Sequence, residues 1–413
     1  MLQESSKTES GLFETDRGGS CQKRDKRRNG YMTFDKEILK NPVLSLPLFY
    51  EEGNCEDAIY DRITDFHNCL SHTDFFDFIQ LDNILYFRNH LKCMFEEYYL
   101  GHQNNAFNEF QNALTRILRD APIIKTIVPK EPFYRARTND SNKDYEDDEM
   151  FHIKYSERSK VKTQRFSFPG LPCLYLGASA YVCWMELNRP AFDQFQIALI
   201  KQNDVDSNKQ ILDLSIHPST FYLELSLREK GIQTEHEDLT LEHYLQYWPI
   251  IAACSVAVKS ENHSFKPEYI FPQYFLQMIL EKKNADFLNI DGIKYMSIKA
   301  GNISMKQYES DYRTYTNYVF PIKSSEPTKE GFCKELSSSF KIINNYSGKE
   351  LQVISDMIRE KGIQFVEIEH GKETSEIDDT LIFGSNDKGY QYKNSIFGRI
   401  ESILNNRSCE ISR

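Results

Sequence analysis

The sequence has 413 residues, a length that fits two or three domains. Its apolar fraction is 40%, and 28 Phe, 24 Tyr and two Trp bring the aromatic fraction to 13%. A chain this rich in large rings can build a sizeable core and is not mainly disordered. The 50 basic and 61 acidic residues give a net charge of −11. That balance argues against direct nucleic-acid binding, which requires an excess of Lys and Arg.

The sequence also argues against a membrane segment and a metal site. Its longest nearly unbroken apolar run, residues 247–258, is shorter than the roughly twenty residues of a membrane-spanning helix. The nine cysteines form no Cys-x-x-Cys pair and no cluster with histidine, so neither a disulfide framework nor a structural zinc site is indicated. The first thirty residues lack the apolar stretch of a signal peptide. We therefore expect a cytoplasmic protein without a metal.

The N-terminal part of the chain is predicted to be helical after a polar, flexible tail over residues 1–40. In residues 41–120, Ser71 is a candidate N-cap with Asp74 three residues later, and Gly101 is a candidate helix end. A second helix is predicted over residues 105–118. The first helix has apolar residues at steps of three or four, which place them on one face: Ile84, Phe87, Leu91, Phe95 and Tyr98.

The middle part, residues 121–324, mixes strands and helices. The patterns predict strands at 133–137, 171–177, 194–201, 210–216, 292–299 and 317–322, and helices opening at Ser179 and covering 241–254 and 272–282. The spacing is too irregular for a βαβ repeat, so the predicted fold class is α+β. The acidic segment 140–149 is expected to be a solvated, mobile loop, with a lid as the alternative.

The pattern restarts beyond the Ser-, Pro- and Gly-containing stretch 324–331. Residues 332–413 are predicted to form a small α/β appendage, with strands at 340–344, 362–368 and 381–383 and helices at 349–361 and 394–404. This part carries no recognisable chemical motif.

Several polar residues stand inside apolar strands and helices of the middle part. Arg135 lies in a predicted strand, Arg165 in a turn, and Tyr175 near the end of the next strand. The helix that opens at Ser179 carries Glu186 about two turns later. Taken alone, such a Glu is more often a structural residue paired with an Arg, and both arginines could serve as that partner or bind the acidic loop.

The order of these motifs resembles the RES-domain family. The shared features are a Tyr-Arg strand at 134–135, an Arg-containing turn, and a Leu-Tyr-Leu strand whose Tyr175 precedes Glu186 by eleven residues. A Gly-Ile-x-Tyr-x-Ser segment follows at 292–297, and residues 317–320 are similar to the closing strand. The sequence departs from the family where Gln164 replaces the Gly that usually precedes the Arg of the turn. The resemblance covers about two hundred residues and leaves out the helical region and the final part.

The resemblance implies a fold similar to ADP-ribosyltransferases and a protein that consumes NAD. Many family members are toxins of toxin–antitoxin pairs, and some cleave NAD by hydrolysis or phosphorolysis. The first hypothesis is therefore an NAD glycohydrolase or phosphorylase acting as a toxin or defence effector, with an antitoxin or regulatory protein as partner. Two alternatives remain open: an ADP-ribosyltransferase that modifies a protein or nucleotide, and a silent module that binds NAD or a partner. Assembly into a homo-oligomer is also left open.

The resemblance assigns catalysis to Glu186, Tyr175 and Arg165. The nicotinamide–ribose bond breaks through an oxocarbenium-like state, and a carboxylate near the ribose stabilises the developing positive charge. Glu186 is the candidate for this role, and Tyr175 offers a ring to the nicotinamide face. The reaction gives no reason to expect a metal.

The residues assigned to NAD binding are Arg135, Arg165, Tyr134 and Ser297. The diphosphate of NAD needs local cations because a chain of net charge −11 repels it at long range. Planar guanidinium groups suit phosphate oxygens, so Arg135 and Arg165 are the candidates. Ser297 is expected to donate a hydrogen bond to ribose, phosphate or Glu186, and Tyr134 is expected to contribute less.

Overall fold

A computed structural model describes residues 36–73, 76–139, 143–203, 209–260, 262–281, 289–300, 312–323, 327–360, 392 and 395–410. Its N-terminal part is helical, as predicted, with α1 over Cys55–Ser71, α2 over Phe78–Tyr99 and α3 over Gln103–Asp120. In the described part of the chain, no helix is long and apolar enough to cross a membrane.

The predicted start of the helix that became α2 is wrong. Ser71 is the last residue of α1, and α2 begins after Asp77, whose side chain accepts a hydrogen bond from the Gln80 N–H while the Gln80 side chain accepts one from the Asp77 N–H. This capping box satisfies two N–H groups at the helix start, and Gln80 at its third position is more typical of a capping box than the Asp74 that follows Ser71. The predicted end is confirmed, because Gly101 follows the helix with φ +80°, a conformation that favours glycine.

Eight strands form one mixed sheet in the described part of the chain. The strands are β1 Lys125–Ile127, β2 Phe133–Thr138, β3 Cys173–Gly177, β4 Phe195–Gln202, β5 Gln210–Leu214, β6 Ile290–Met296, β7 Thr316–Pro321 and β8 Phe340–Tyr346. Their order in the sheet is β1-β5-β6-β7-β3-β2-β4-β8. Among these pairs only β5 and β6 run parallel, which agrees with the predicted mixed α and β architecture.

Most of the remaining helices pack on this sheet in two groups. The remaining helices are α4 Ala180–Glu186, α5 Pro218–Arg228, α6 Leu241–Cys254, α7 Ile270–Glu281, α8 Lys334–Ser339, α9 Gly348–Glu360 and α10 Ile396–Glu410. Helices α6 and α7 share a hydrophobic cluster with α1, α2 and α3, and Phe110 of α3 lies 5.1 Å from Phe271 of α7 between ring centroids. Helices α4, α9 and α10 share a second cluster.

The predicted C-terminal appendage is not separate from the middle part. Strand β8 pairs antiparallel with β4, with Ile197 opposite Tyr346, and so extends the central sheet. A pattern that restarts along the sequence indicates new elements but contains no information about which strand they pair with. The strands predicted at 362–368 and 381–383 lie outside the described residues.

The described part of the acidic segment, residues 143–149, differs from the expected mobile loop, and residues 140–142 lie outside the described residues. Residues Asp147–Met150 form a short 3₁₀ helix, and the apolar residues that follow the acidic run pack inward, with Met150 fully buried and Phe151 6% exposed. The Gln196 side chain accepts a hydrogen bond from the Tyr145 N–H at 2.8 Å. The apolar end of the segment therefore fixes it against the sheet.

A buried ionic cluster connects β5, β6 and the chain beyond α5. The Oδ2 atom of Asp213, which is fully buried, accepts hydrogen bonds from Lys294 Nζ at 2.9 Å and His236 Nε2 at 3.1 Å. His236 Nδ1 lies 2.8 Å from Glu224 Oε1, and Lys294 also donates to Glu235 at 2.7 Å. Asp213, Glu235 and His236 have the proximity of metal ligands, but the Lys294 ammonium already supplies positive charge between the two carboxylates.

This cluster predicts a loss of stability at alkaline pH. Burial lowers the pKa of His236, but the hydrogen bonds to Asp213 and Glu224 more than offset it and raise the pKa from 6.5 to about 9. The imidazolium therefore contributes stability that is complete below about pH 6.5 and is lost as the pH rises through about 9. We expect this term to lower the free energy of unfolding by on the order of 2 kcal/mol between pH 7 and pH 10. Urea unfolding of the wild type and of His236→Gln at both pH values measures it.

The His236→Gln variant should lack this alkaline loss, since it has no titrating ring. His102→Gln, at an exposed position, is the matched control and should keep the wild-type loss. An equal alkaline loss in wild type and His236→Gln would contradict the assignment.

Candidate functional site

A cavity of about 520 Å³ opens where β2, β3, α4, β6 and β7 meet. Its volume lies in the range of small-molecule sites. Of the six site residues predicted from the sequence, four line this cavity: Arg135, Arg165, Tyr175 and Glu186.

Glu186 reaches the cavity from the end of α4. Ser179 caps the helix start by accepting a hydrogen bond from the Val182 N–H at 3.0 Å, as the sequence predicted. At the other end, the Glu186 Oε1 atom accepts a hydrogen bond from Asn317 Nδ2 of β7 at 2.7 Å. Lys299 Nζ donates to the Glu186 carbonyl oxygen at 2.9 Å, which satisfies one of the free carbonyls of the helix end. The carboxylate is therefore fixed by one oxygen.

The close approach of β3 and α4 depends on Gly177. A Cβ at this position would lie 2.6 Å from both Cys183 Sγ and Val182 Cγ1, so any larger residue would push the helix away from the strand. Beyond Glu186 the chain turns back through Asn188 and Arg189, both in the left-handed region at φ 62° and 55°. The position of Glu186 is therefore determined by β3, by α4 and by the turn at Asn188 and Arg189.

Tyr175 and the turn that precedes it are held by side-chain hydrogen bonds. The Tyr175 hydroxyl donates to Ser167 Oγ at 3.0 Å. Burial raises the pKa of Tyr175 well above its ordinary value, so the phenol stays neutral. Gln273 Nε2 of α7 lies 2.9 Å from the Gln164 carbonyl and 3.1 Å from the Ser167 carbonyl, and so fixes the turn that carries Arg165.

Arg165 is bound mainly to backbone. Its two terminal nitrogens donate to the carbonyl oxygens of Cys254 at 3.0 Å and Val256 at 2.8 Å, and its guanidinium lies 5.1 Å from the centre of the Tyr269 ring. The residue is 6% exposed. Arg165 therefore reaches the cavity with two of its donors already engaged, which leaves less of the guanidinium for the phosphate and catalytic roles assigned to it.

Arg135 differs from Arg165 because its guanidinium has no hydrogen-bond partner among the described residues. Its Nε atom is buried and has no hydrogen-bond partner among the described residues, and none of them forms a salt bridge with its guanidinium. Burial and, secondarily, the charge of Arg137 lower the pKa of Arg135 to about 9, so the group remains charged at neutral pH. Neither Arg135 nor Arg165 pairs with Glu186, so the arrangement does not match the structural Arg–Glu pair considered from the sequence.

Tyr134 and Ser297 lie outside the cavity, contrary to the prediction. Tyr134 and Arg135 are adjacent in β2 and so point to opposite faces; the Tyr134 hydroxyl accepts a hydrogen bond from Asn405 of α10 at 3.1 Å. Ser297 follows the end of β6, is 1% exposed and lines a separate small cavity with His217. Neither side chain contacts a ligand placed in the large cavity in this arrangement.

Other residues of the cavity were not predicted as site residues. Asn317, which orients Glu186, belongs to the closing strand of the resemblance, so its position was a usable signal. Lys299 and Lys266 bring positive charge, and no sequence pattern marked them. Phe49 comes from the region before α1, where no chemistry was expected.

Comparison with known proteins finds a relative of similar sequence. No family model matches the sequence, and no solved structure matches it. A protein of Bacillus subtilis (strain 168) that bears the name "Putative toxin YopC" is 29% identical over 314 residues, which is 73% of this chain. The matched part spans 66% of the length of that relative. The name is that of a toxin and does not mention NAD, so the resemblance to the RES-domain family stays a prediction from motifs.

The two cavity arginines should differ in their effect on stability. Arg165→Met removes two charge-assisted hydrogen bonds and leaves buried carbonyls unpaired, so we expect a loss of about 3 kcal/mol in the free energy of unfolding. Arg135→Met removes a buried donor without a described partner, so we expect a change below about 1 kcal/mol or a gain. Urea unfolding of both variants and the wild type measures the difference. Equal losses would contradict the distinction.

Proposed function

We propose that this protein cleaves the nicotinamide–ribose bond of NAD, with water or phosphate as acceptor, and acts as a toxin. The observation that supports this most is a combination of charges: the guanidinium of Arg135, which has no described partner, and the carboxylate of Glu186 line one cavity without pairing with each other. An anion and a developing cation on the same ligand would complement these two groups. NAD has that pattern, with its diphosphate and its reacting ribose.

Glu186 is suited to the role of the carboxylate. Asn317 holds Oε1 at 2.7 Å, while no described residue donates to Oε2. One oxygen is therefore oriented and the other is available for a ribose hydroxyl or for the positive charge that develops at the anomeric carbon. Nicotinamide leaves as a neutral molecule, so this step needs no general acid.

Arg135 is the candidate for the diphosphate. Its guanidinium offers planar donors that match phosphate oxygens, and a ligand would satisfy the buried Nε that has no described partner. Lys266 and Lys299 add positive charge to the same cavity. In this proposal Arg165 shapes the wall of the cavity and Tyr175 presents its ring to the nicotinamide.

The proposed biological role follows the name of the relative. A toxin that consumes NAD would arrest growth by depleting the cofactor, and an antitoxin or regulatory protein would have to restrain it. The name of the Bacillus subtilis protein supports the toxin role and carries no information about the reaction.

Glu186→Gln should abolish most NAD cleavage. The amide keeps the size of the side chain and loses the charge that stabilises the transition state, so we expect kcat to fall by about 10²–10³. Chromatography of NAD incubations with and without phosphate gives the rate and the products. Nicotinamide with ADP-ribose, or with its 1″-phosphate in phosphate buffer, identifies the acceptor.

The control for this experiment is Glu237→Gln, an exposed Glu outside the cavity, which should cleave NAD at the wild-type rate. Label from NAD that remains on protein would indicate ADP-ribosyl transfer instead. A wild-type rate in Glu186→Gln would disprove the mechanism.

Arg135→Met should weaken NAD binding. Loss of charge-assisted hydrogen bonds to the diphosphate costs about 1.5–3 kcal/mol, so we expect Kd to rise roughly 10- to 100-fold. Calorimetry on protein that also carries Glu186→Gln measures Kd without consumption of NAD. Arg158→Met, at an exposed arginine outside the cavity, is the control. Unchanged affinity in Arg135→Met would exclude Arg135 as the diphosphate ligand.

A further inference from the structure

Helix α10 contacts both elements that carry the charged pair of the candidate site. It belongs to the C-terminal part of the chain, outside the region of the RES-like motifs and outside the cavity. It contacts α4, which ends in Glu186, and it also contacts β2, which carries Arg135.

The contact with α4 involves both the start of the helix and its aromatic residues Tyr181 and Trp184. Glu401 Oε1 accepts a hydrogen bond from the Ala180 N–H at 2.6 Å and another from the Tyr392 hydroxyl at 2.5 Å. The ring of Phe397 lies 5.3 Å from that of Tyr181 and 5.2 Å from that of Trp184. A carboxylate at the first turn complements the partial positive charge of the free N–H groups there, and the rings restrain rotation of the helix about its axis.

The contact with β2 includes a side-chain hydrogen bond to Tyr134. Asn405 Nδ2 donates to the Tyr134 hydroxyl at 3.1 Å and to the Glu401 carbonyl at 2.9 Å. Tyr134 precedes Arg135 in β2, so α10 connects the strand that carries the arginine with the helix that carries the carboxylate.

A seven-residue helix needs such support. Isolated helices of this length are not stable in water, so the orientation of α4 is set by what packs against it. A displacement of about 1 Å at a reacting group can cost on the order of 10²-fold in rate.

We propose that α10 is a positioning element of the candidate active site, and that Glu401 and Asn405 are positioning residues that set the relative placement of Glu186 and Arg135. The inference rests on the proposed NAD cleavage for its kinetic consequence, while the mechanical claim about α4 can be tested without it.

The kinetic test compares full-length variants in NAD cleavage. Glu401→Leu should lower kcat about tenfold or more while KM changes less than about threefold, because the cavity residues are all present and only their placement changes. Glu401→Gln keeps the acceptor for the Ala180 N–H and should restore kcat to within about threefold of wild type. Asn405→Leu should lower kcat several-fold, and Asn406→Leu, at the exposed neighbouring Asn, is the matched control and should not.

Hydrogen exchange of the ligand-free proteins tests the mechanical claim. Exchange in a peptide that covers residues 180–187 should accelerate about tenfold in Glu401→Leu and stay near wild type in Glu401→Gln and Asn406→Leu. If Glu401→Leu fails to fold, Phe397→Leu replaces it, because it keeps an apolar side chain and removes only the ring contacts.

The outcomes separate the two proposals. A wild-type protein that leaves NAD intact rejects the proposed function, and the exchange data then decide the role of α10 alone. Unchanged exchange in residues 180–187 overturns the inference. So does a loss of kcat that Asn406→Leu shares, or one that Glu401→Gln fails to rescue.

Discussion

The position of one short helix is the constraint on which the candidate site depends. Glu186 is the last residue of α4, a helix of seven residues that has too few internal hydrogen bonds to fix its own direction. The surroundings fix it: Gly177 lets the strand come close, Ser179 caps the start, and Asn317 holds the carboxylate at the end. The geometry of the candidate site is therefore a property of tertiary packing.

In the described part of the chain, some buried cationic groups have hydrogen-bond partners and Arg135 has none. Lys294 and His236 are buried against carboxylates, and Arg165 is buried against two backbone carbonyls, so each positive charge meets a partner that offsets its desolvation. Arg135 is partly buried without such a partner, an arrangement that costs stability in the free protein. Stability alone does not account for a charge in that position, whereas the proposed binding of an anion would offset this cost.

Much of the local structure could be predicted from the sequence, because helix starts, helices and strands are determined largely by residues that are close in sequence. The helix start at Ser179, helix 241–254 and the strand around Arg135 depend on residues close in sequence, and the structure confirms each of them. The placement of Arg165 was less predictable, since the backbone carbonyls that bind it lie about ninety residues away and carry no side-chain signal. Side chains alternate between the two faces of a strand, so the sequence already placed Tyr134 and Arg135 on opposite faces of β2. Both were nevertheless assigned to one site because the motif resemblance pairs them.

Because the sheet continues into the C-terminal part, the flanking parts of the chain contribute to the structure around the candidate site. Because β8 pairs with β4, a fragment of residues 121–324 would expose the edge of β4 and would lack α10 with its contacts to α4. It would also lack Phe49 at the rim of the cavity and the Leu48 backbone, which is hydrogen-bonded to Ser255 beside the carbonyls that bind Arg165. Low NAD cleavage by such a fragment would therefore indicate damage to the candidate site. It would not show whether the flanking parts inhibit the full-length protein. Point variants in the intact chain keep these contacts. They can therefore distinguish residues that stabilise the candidate site from residues that inhibit the proposed activity.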